Sequence, residues 1–211
     1  DNMKVMSTNN DNPADACKPF DKDRSGFILS EGAAILVIEE LETAKKRGAK
    51  IYAEICGYGQ SNGGHHMVVP APNGVGEALA MEKALQMGGV STDEIDYIHA
   101  HGTGTVANDF NETLAIKKVF GKNAKNILVS STKGQTGHLL GASGALGCVN
   151  TALAIARKIV PSNYNLSTAD DSLGLIFPRG TPTPARVTIA LSNSFGFGNN
   201  NASILLREYV A

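Results

Sequence analysis

The sequence predicts a layered α/β domain with a mixed sheet covered by helices. Short β-branched apolar runs alternate with stretches of helical spacing along the whole chain. Glycine is abundant, 23 of 211 residues, as a fold with many tight turns and close backbone approaches requires. A chain this long buries a substantial core without staples. Its three cysteines, Cys17, Cys56 and Cys148, are far apart and form no CxxC pair, which argues against a disulfide framework.

The elements follow in order. Residues 1–25 are polar and turn-rich, with Asn9-Asn-Asp-Asn-Pro13 the strongest loop signal. Ala33 to Glu39 is apolar and branched and predicts a buried strand. Glu40 to Arg47 predicts a short helix ended by Gly48. Ile51 to Tyr58 predicts a strand whose end Gly57 and Gly59 loosen, before a loop holding Asn62-Gly-Gly64 and Pro70-Ala-Pro72. Gly76 to Met87 spaces Leu79, Ala80, Lys83, Ala84 and Met87 as a helix does, and Ser91-Thr-Asp-Glu94 has the form of a capping box. Tyr97 to Ala100 predicts a strand and Asp109 to Phe120 a helix. Ile127 to Ser131 predicts another strand. Gly141 to Ile159, rich in Ala and Gly, predicts a long buried helix. Val187 to Ser192 and Ser203 to Leu206 predict closing strands. No internal repeat or low-complexity tract appears, and residues 1–211 are expected to act as one domain behind the loop-rich opening segment.

Bulk properties exclude several classes. Nineteen basic against twenty acidic residues give a formal charge of -1, so no global field draws the chain to nucleic acid or an anionic membrane. No apolar run reaches the ~18 residues of a membrane span. The opening Asp1-Asn-Met-Lys4 has neither signal-peptide nor transit-peptide character and reads as a cut end. These features together predict a cytoplasmic location, with an organelle matrix as the other option.

Polar residues collect in three stretches where strand patterns give out: His101-Gly-Thr-Gly-Thr105, Lys133-Gly-Gln-Thr-Gly-His138 and Asn193-Ser-Phe-Gly-Phe-Gly198. Strand, then His-Gly-Thr-Gly-Thr, then a capped helix puts side chains at a sheet's carboxyl edge, where ligands bind in open α/β sheets. A histidine satisfied within a glycine-rich turn would read the same way. Lys133, five residues before His138, needs a carboxylate or carbonyl to stay charged if buried, and Glu112 is the candidate partner. A lysine covering a helix start is the alternative. Two imidazoles, an ammonium, hydroxyls and an aromatic between glycines suit chemistry on a thioester carbonyl.

Other patterns fail on inspection. Asp21-Lys-Asp-Arg-Ser-Gly26 opens like a calcium loop, but the twelfth position is Gly32. Ser130-Ser-Thr-Lys133 has the S-x-x-K form without the Lys-Thr-Gly that should follow. His99-Ala-His101 could face a metal, but no third ligand is apparent, so no metal is expected. No phosphate-binding glycine loop is present.

These three stretches, together with Lys18-Pro-Phe-Asp-Lys-Asp-Arg-Ser-Gly-Phe27 and Asn108-Asp109, resemble the elongating β-ketoacyl-[acyl-carrier-protein] synthases of the thiolase-like fold. The resemblance runs from about Asn9 to Tyr209 and covers the C-terminal half of that family's usual length. It implies decarboxylative condensation of malonyl and acyl thioesters in fatty acid or polyketide synthesis. His101 and His138 match the family's histidine pair, which holds the oxygen of a developing enolate, and Lys133 matches the lysine beside the second histidine. Thr103 and Thr105 match hydroxyls that hold a phosphopantetheine arm. Phe197 matches a mobile aromatic gate, and Asp109 and Glu112 support the site. The nucleophilic cysteine belongs to the first half; none of the three cysteines here matches it, and all three read as packing residues.

The chain departs from the family pattern at Gly104, Val106, Val68 and Asn199-Asn-Asn201, and at Gly147, where bacterial synthases usually carry Glu. The resemblance implies no cofactor beyond the carrier's phosphopantetheine. The partners it implies are acyl carrier protein, a cysteine-bearing N-terminal half and, for the complete synthase, a second copy. Two further readings stand beside it. One is a non-catalytic partner of the chain-length-factor kind. The other is a stand-alone hydrolase using His101 or His138. The isolated chain is expected not to condense thioesters and to expose an apolar face.

Overall fold

A computed structural model describes residues 3–210. Its strands are β1 (Glu54–Asn62), β2 (Tyr97–His99), β3 (Leu128–Ser130), β4 (Ile159–Val160), β5 (Thr183–Pro184), β6 (Ile189–Gly196) and β7 (Asn200–Arg207). Its α-helices are α1 (Leu41–Lys46), α2 (Val75–Gly88), α3 (Val106–Phe120), α4 (Lys133–Thr136) and α5 (Ser143–Arg157). Five strands form one mixed sheet in the order β1-β7-β6-β2-β3, and β4 and β5 form a small ribbon that the sequence did not suggest. Strand β2 runs parallel to both β3 and β6, while β7 is antiparallel to β6 and β1.

Strand alternation divides the core in two. Ile98, Leu191 and Leu205 face one side, packing with Met81 and Leu85 of α2 and Ile116 and Phe120 of α3. Their neighbours Tyr97, Ala190 and Leu206 face the other side, with Ala154 and Ile155 of α5. This is the layered arrangement predicted.

Several boundaries move, for identifiable reasons. Glu40 is the cap of α1, its carboxylate accepting the backbone N–H groups of Glu42 and Thr43 at 3.0 and 2.8 Å. Thr105 caps α3 by accepting the Asn108 N–H at 3.2 Å, so that helix starts three residues before the predicted Asp109. Gly57 and Gly59 lie inside β1 rather than loosening its end. A Cβ on either would collide with a backbone carbonyl of α2, at Ala84 and Ala80 respectively, so the glycines let helix and strand touch. Strand β6 continues through Gly196, and the motif beginning at Asn193 is therefore half strand. The long helix begins at Ser143 and is fully buried only at Gly147, Cys148, Thr151, Ala154 and Ile155, so one face meets the sheet and the others are half-covered.

The predicted strand Ala33–Glu39 does not form. No strand among the described residues lies beside it, so its backbone has no ladder partner. Ile35, Val37 and Ile38 are 86, 82 and 71 % exposed. The branched apolar pattern is genuine, and the neighbour it calls for is absent from the described fold.

Candidate active site

Sheet topology brings the three polar stretches together. In the parallel register His99 lies opposite Ser130 on β3 and Ser192 on β6. The chain leaving each strand therefore emerges at the same carboxyl edge: His101 after β2, the Thr132–His138 turn after β3, and the outer end of β6 itself. The turns are specific to glycine where backbone crowds. Gly102 has φ +39° and its absent Cβ would sit 2.5 Å from Ser131 Cβ and 3.0 Å from the Phe20 ring.

The result is a cleft of about 600 Å³ lined by His101, His138, Thr103, Thr105, Phe195 and Phe197, among others. The two imidazole rings stand edge to face, centroids 5.4 Å apart and planes at 78°. Phe195 backs His101 at 5.9 Å and Phe27 backs His138 at 5.0 Å. The Thr103 and Thr105 hydroxyls lie 2.9 Å apart. Phe197, 46 % exposed, sits on the turn joining β6 to β7.

His138 is fixed as one tautomer. Its Nδ1 accepts the backbone N–H of Leu140 at 3.0 Å and lies 3.0 Å from Ser143 Oγ. A peptide nitrogen can only donate, so Nδ1 carries the lone pair and Nε2 the proton. Burial, reinforced by the charge of Lys133, holds its pKa at about 4. Burial, then Lys133 and His138, hold His101 well below the ordinary range. Both rings are therefore neutral near pH 7.

A second layer lies under the cleft and does not line it. Glu112 is fully buried and accepts the N–H groups of His101 and Gly102 at 2.9 and 2.8 Å and the Asn193 amide at 3.1 Å. Lys133 Nζ donates to the His101 carbonyl. Glu112 is thus not the direct ion partner anticipated for Lys133, and the ammonium bonds the peptide of the first histidine rather than the ring of the second. The His101 peptide stands between the two charges. Burial pushes Glu112 up and Lys133 down, and the Glu112 charge partly restores Lys133. Asp109, fully buried, accepts from Phe20, Thr103 and Gly104 backbone N–H groups at 2.8, 3.0 and 3.2 Å, so it shapes the Thr103–Thr105 turn. Burial raises its pKa against those bonds.

Some contributors were not singled out from the sequence. Asn193 bridges Glu112 to Ser203, whose hydroxyl donates to its Oδ1 at 2.8 Å. Ser131 Oγ donates to the Gly102 carbonyl at 2.7 Å. Asn199 accepts from Ala71 N–H at 2.7 Å and donates to the carbonyls of His66 and Val69, tying the Phe197 turn to the 66–71 loop. Asn193 and Phe27 lie within the Asn193–Gly198 and Lys18–Phe27 stretches, which was the available signal.

The set-aside patterns have structural explanations. Asp21 accepts from Asp23, Ser167 and Thr168, which occupies its oxygens. His99 points away from the cleft, its Nε2 3.4 Å from Thr132 Oγ1 and its Nδ1 3.2 Å from where a Cβ on Gly147 would lie. A larger residue at 147 would meet that imidazole. Burial pushes the Cys17 thiol up to about 11 and raises Cys56 and Cys148 as well. None of the three is an activated thiolate.

Fold and site define an α/β layer that presents two neutral histidines and a pair of threonine hydroxyls in one cleft. A family model for the C-terminal domain of β-ketoacyl synthases matches residues 52–167, and one for the N-terminal domain of the same enzymes matches residues 1–44. The chain is 47% identical over 206 residues to 3-oxoacyl-[acyl-carrier-protein] synthase 2 of Synechocystis, covering 98% of this chain and 50% of that protein. It is 46% identical to the mitochondrial 3-oxoacyl-[acyl-carrier-protein] synthase of Arabidopsis thaliana, covering 96% and 45%. A β-ketoacyl synthase from Burkholderia phymatum superposes with a TM-score of 0.92 at 37% identity, covering 99% of this chain and 50% of that one. A type II polyketide ketosynthase, solved with its acyl-carrier protein and bound to a hexaketide, gives 0.96 at 35%, covering 99% and 52%. The chain belongs to the β-ketoacyl synthase family and spans about half the length of the relatives it matches. Among the described residues no helix is long and apolar enough to cross a membrane.

Proposed function

We propose that this chain supplies the His/His/Lys part of a β-ketoacyl-[acyl-carrier-protein] synthase site. The observation that carries the proposal is the pair of neutral imidazoles facing each other across one cleft, with His138 held as the Nε2–H tautomer. In the reaction, an acyl group waits as a thioester on a cysteine from outside these 211 residues. Malonyl thioester loses carbon dioxide, and the C–C bond electrons become an enolate. Two ring N–H donors stabilise the charge on its oxygen, as an oxyanion hole does. The enolate carbon then attacks the acyl carbonyl, forming the new C–C bond and expelling the cysteine thiolate.

Lys133 and Glu112 act on His101 through its peptide: one holds the carbonyl, the other the N–H. Thr103 and Thr105 line the route of the carrier arm, and Phe197 gates it. The partners are acyl carrier protein and an N-terminal half that packs on the exposed Ile35–Ile38 face; the complete synthase is a homodimer acting in the cytoplasm or an organelle matrix. No cofactor beyond the carried phosphopantetheine is needed. A non-catalytic, chain-length-factor-like role is the second reading, favoured by ketosynthase–chain length factor assemblies among the similar structures and by Gly147.

The test is complementation of this chain with a cysteine-bearing first half. His138→Ala should lower turnover by about 10²–10³. Unchanged turnover would sink the catalytic reading, and condensation by the isolated chain would refute the need for an outside cysteine.

A further inference from the structure

One carboxyl group in the cleft wall has no part in the chemistry above. Glu77, in the first turn of α2, lines the same cleft as His101 and Phe197. It is 3 % exposed, and its Oε2 has no hydrogen-bond partner. No Lys or Arg among the described residues forms an ion pair with it. The same cleft wall includes Val68, Val69, Pro70 and Phe195. A buried carboxyl oxygen without a partner weakens the fold, because its lost hydration is not replaced. Such a group is explained if a ligand completes it.

We propose that Glu77 is a specificity-determining residue that hydrogen-bonds a neutral hydroxyl or amide group of the molecule occupying the cleft. Burial raises the Glu77 pKa above the ordinary carboxylate value. The unpartnered oxygen is a hydrogen-bond acceptor, and among neutral groups its complement is a donor: an alcohol O–H or a secondary amide N–H. The proposal rests on the cleft taking a pantetheine-borne thioester, and that molecule offers two sources of the chemistry. Its arm carries amides, and its acyl chain can carry a hydroxyl.

Calorimetric titration of the 211-residue chain at pH 7 with pantetheine, S-octanoylpantetheine and S-(3-hydroxyoctanoyl)pantetheine distinguishes them. Glu77→Leu removes the carboxyl oxygens, and Glu77→Gln keeps an acceptor at the same size. The expected result is a Kd raised about fivefold to tenfold by Glu77→Leu and about twofold or less by Glu77→Gln. Weakening for all three probes assigns the arm amide; weakening for the hydroxyacyl probe alone assigns the acyl hydroxyl. The melting temperature of the unliganded Glu77→Leu chain should equal or exceed that of the wild type, an effect a structural Glu77 would not give. Should Glu77→Leu fail to fold, Glu77→Ala carries the same comparison. Equal affinities of wild type and variants for every probe would overturn the proposal while leaving the thioester cleft standing. Failure of the wild type to bind any probe would overturn the cleft reading and this proposal with it.

Discussion

Acidification should leave His138 uncharged, with its proton on Nε2, at a pH where an ordinary imidazole is mostly a cation. The reasoning starts from the Leu140 N–H, 3.0 Å from Nδ1. Protonating the ring would put a hydrogen on Nδ1, the nitrogen that this N–H already faces. Burial and the nearby Lys133 charge add to that cost and set the pKa at about 4. At pH 5.5 a free histidine with pKa ~6.5 is about 90% charged, whereas His138 should be about 3% charged. Histidine-selective ¹⁵N labelling with two-bond proton–nitrogen correlation, run from pH 7.5 to 5.0, reads both points at once. The expected spectrum has a bare-nitrogen signal at Nδ1, a protonated-nitrogen signal at Nε2, and almost no movement across the range. The stability consequence has a definite sign. The folded pKa lies below the unfolded one, so the unfolded chain takes up the proton first. His138's contribution is complete above about pH 6.5 and is lost as pH falls toward 4, by up to ~1.4 kcal/mol per pH unit within that window. A titration midpoint near 6.5, or a proton on Nδ1, would refute the argument and remove the donor on which the proposed oxyanion stabilisation depends.

Other expectations follow from the same geometry. Lys133→Met removes the positive charge that depresses both rings, so the His138 midpoint should move upward in the same spectra; a downward move would contradict the electrostatic assignment. Gly59→Ala forces β1 away from the Ala80 carbonyl of α2 and should cost ~3 kcal/mol. That lowers the melting temperature by about 6–12 °C, and a change under about 2 °C would show that the contact yields. Cys17 is 4 % exposed with its thiol held protonated, so it should resist a disulfide-forming thiol reagent in the native chain and react after denaturation; rapid native labelling would disprove the packing role.

What the sequence disclosed depended on whether the relevant partner was written in side chains. The convergence of His101, His138 and the Asn193–Gly198 stretch was legible because each follows or ends a strand, and parallel neighbours deliver such ends to one edge. Lys133 was recognised as needing a counter-group, but the group it found is the His101 carbonyl, and a backbone carbonyl leaves no mark in composition or spacing. Glu112 likewise spends its oxygens on the His101 and Gly102 peptides. The run Ala33–Glu39 failed in the opposite way. Its side chains ask for burial, but a strand exists only where another backbone stands beside it, and none of the described strands does. Gly57 and Gly59 read as weak points and are instead where a helix backbone comes closest. The same distinction orders the site. The rings and hydroxyls that face the cleft were predictable by residue type, while the layer that orients them works through peptide groups. A substitution under the cleft should therefore disturb the chemistry by turning one peptide, the one between His101 and Gly102, which Glu112 and Lys133 grip from opposite ends.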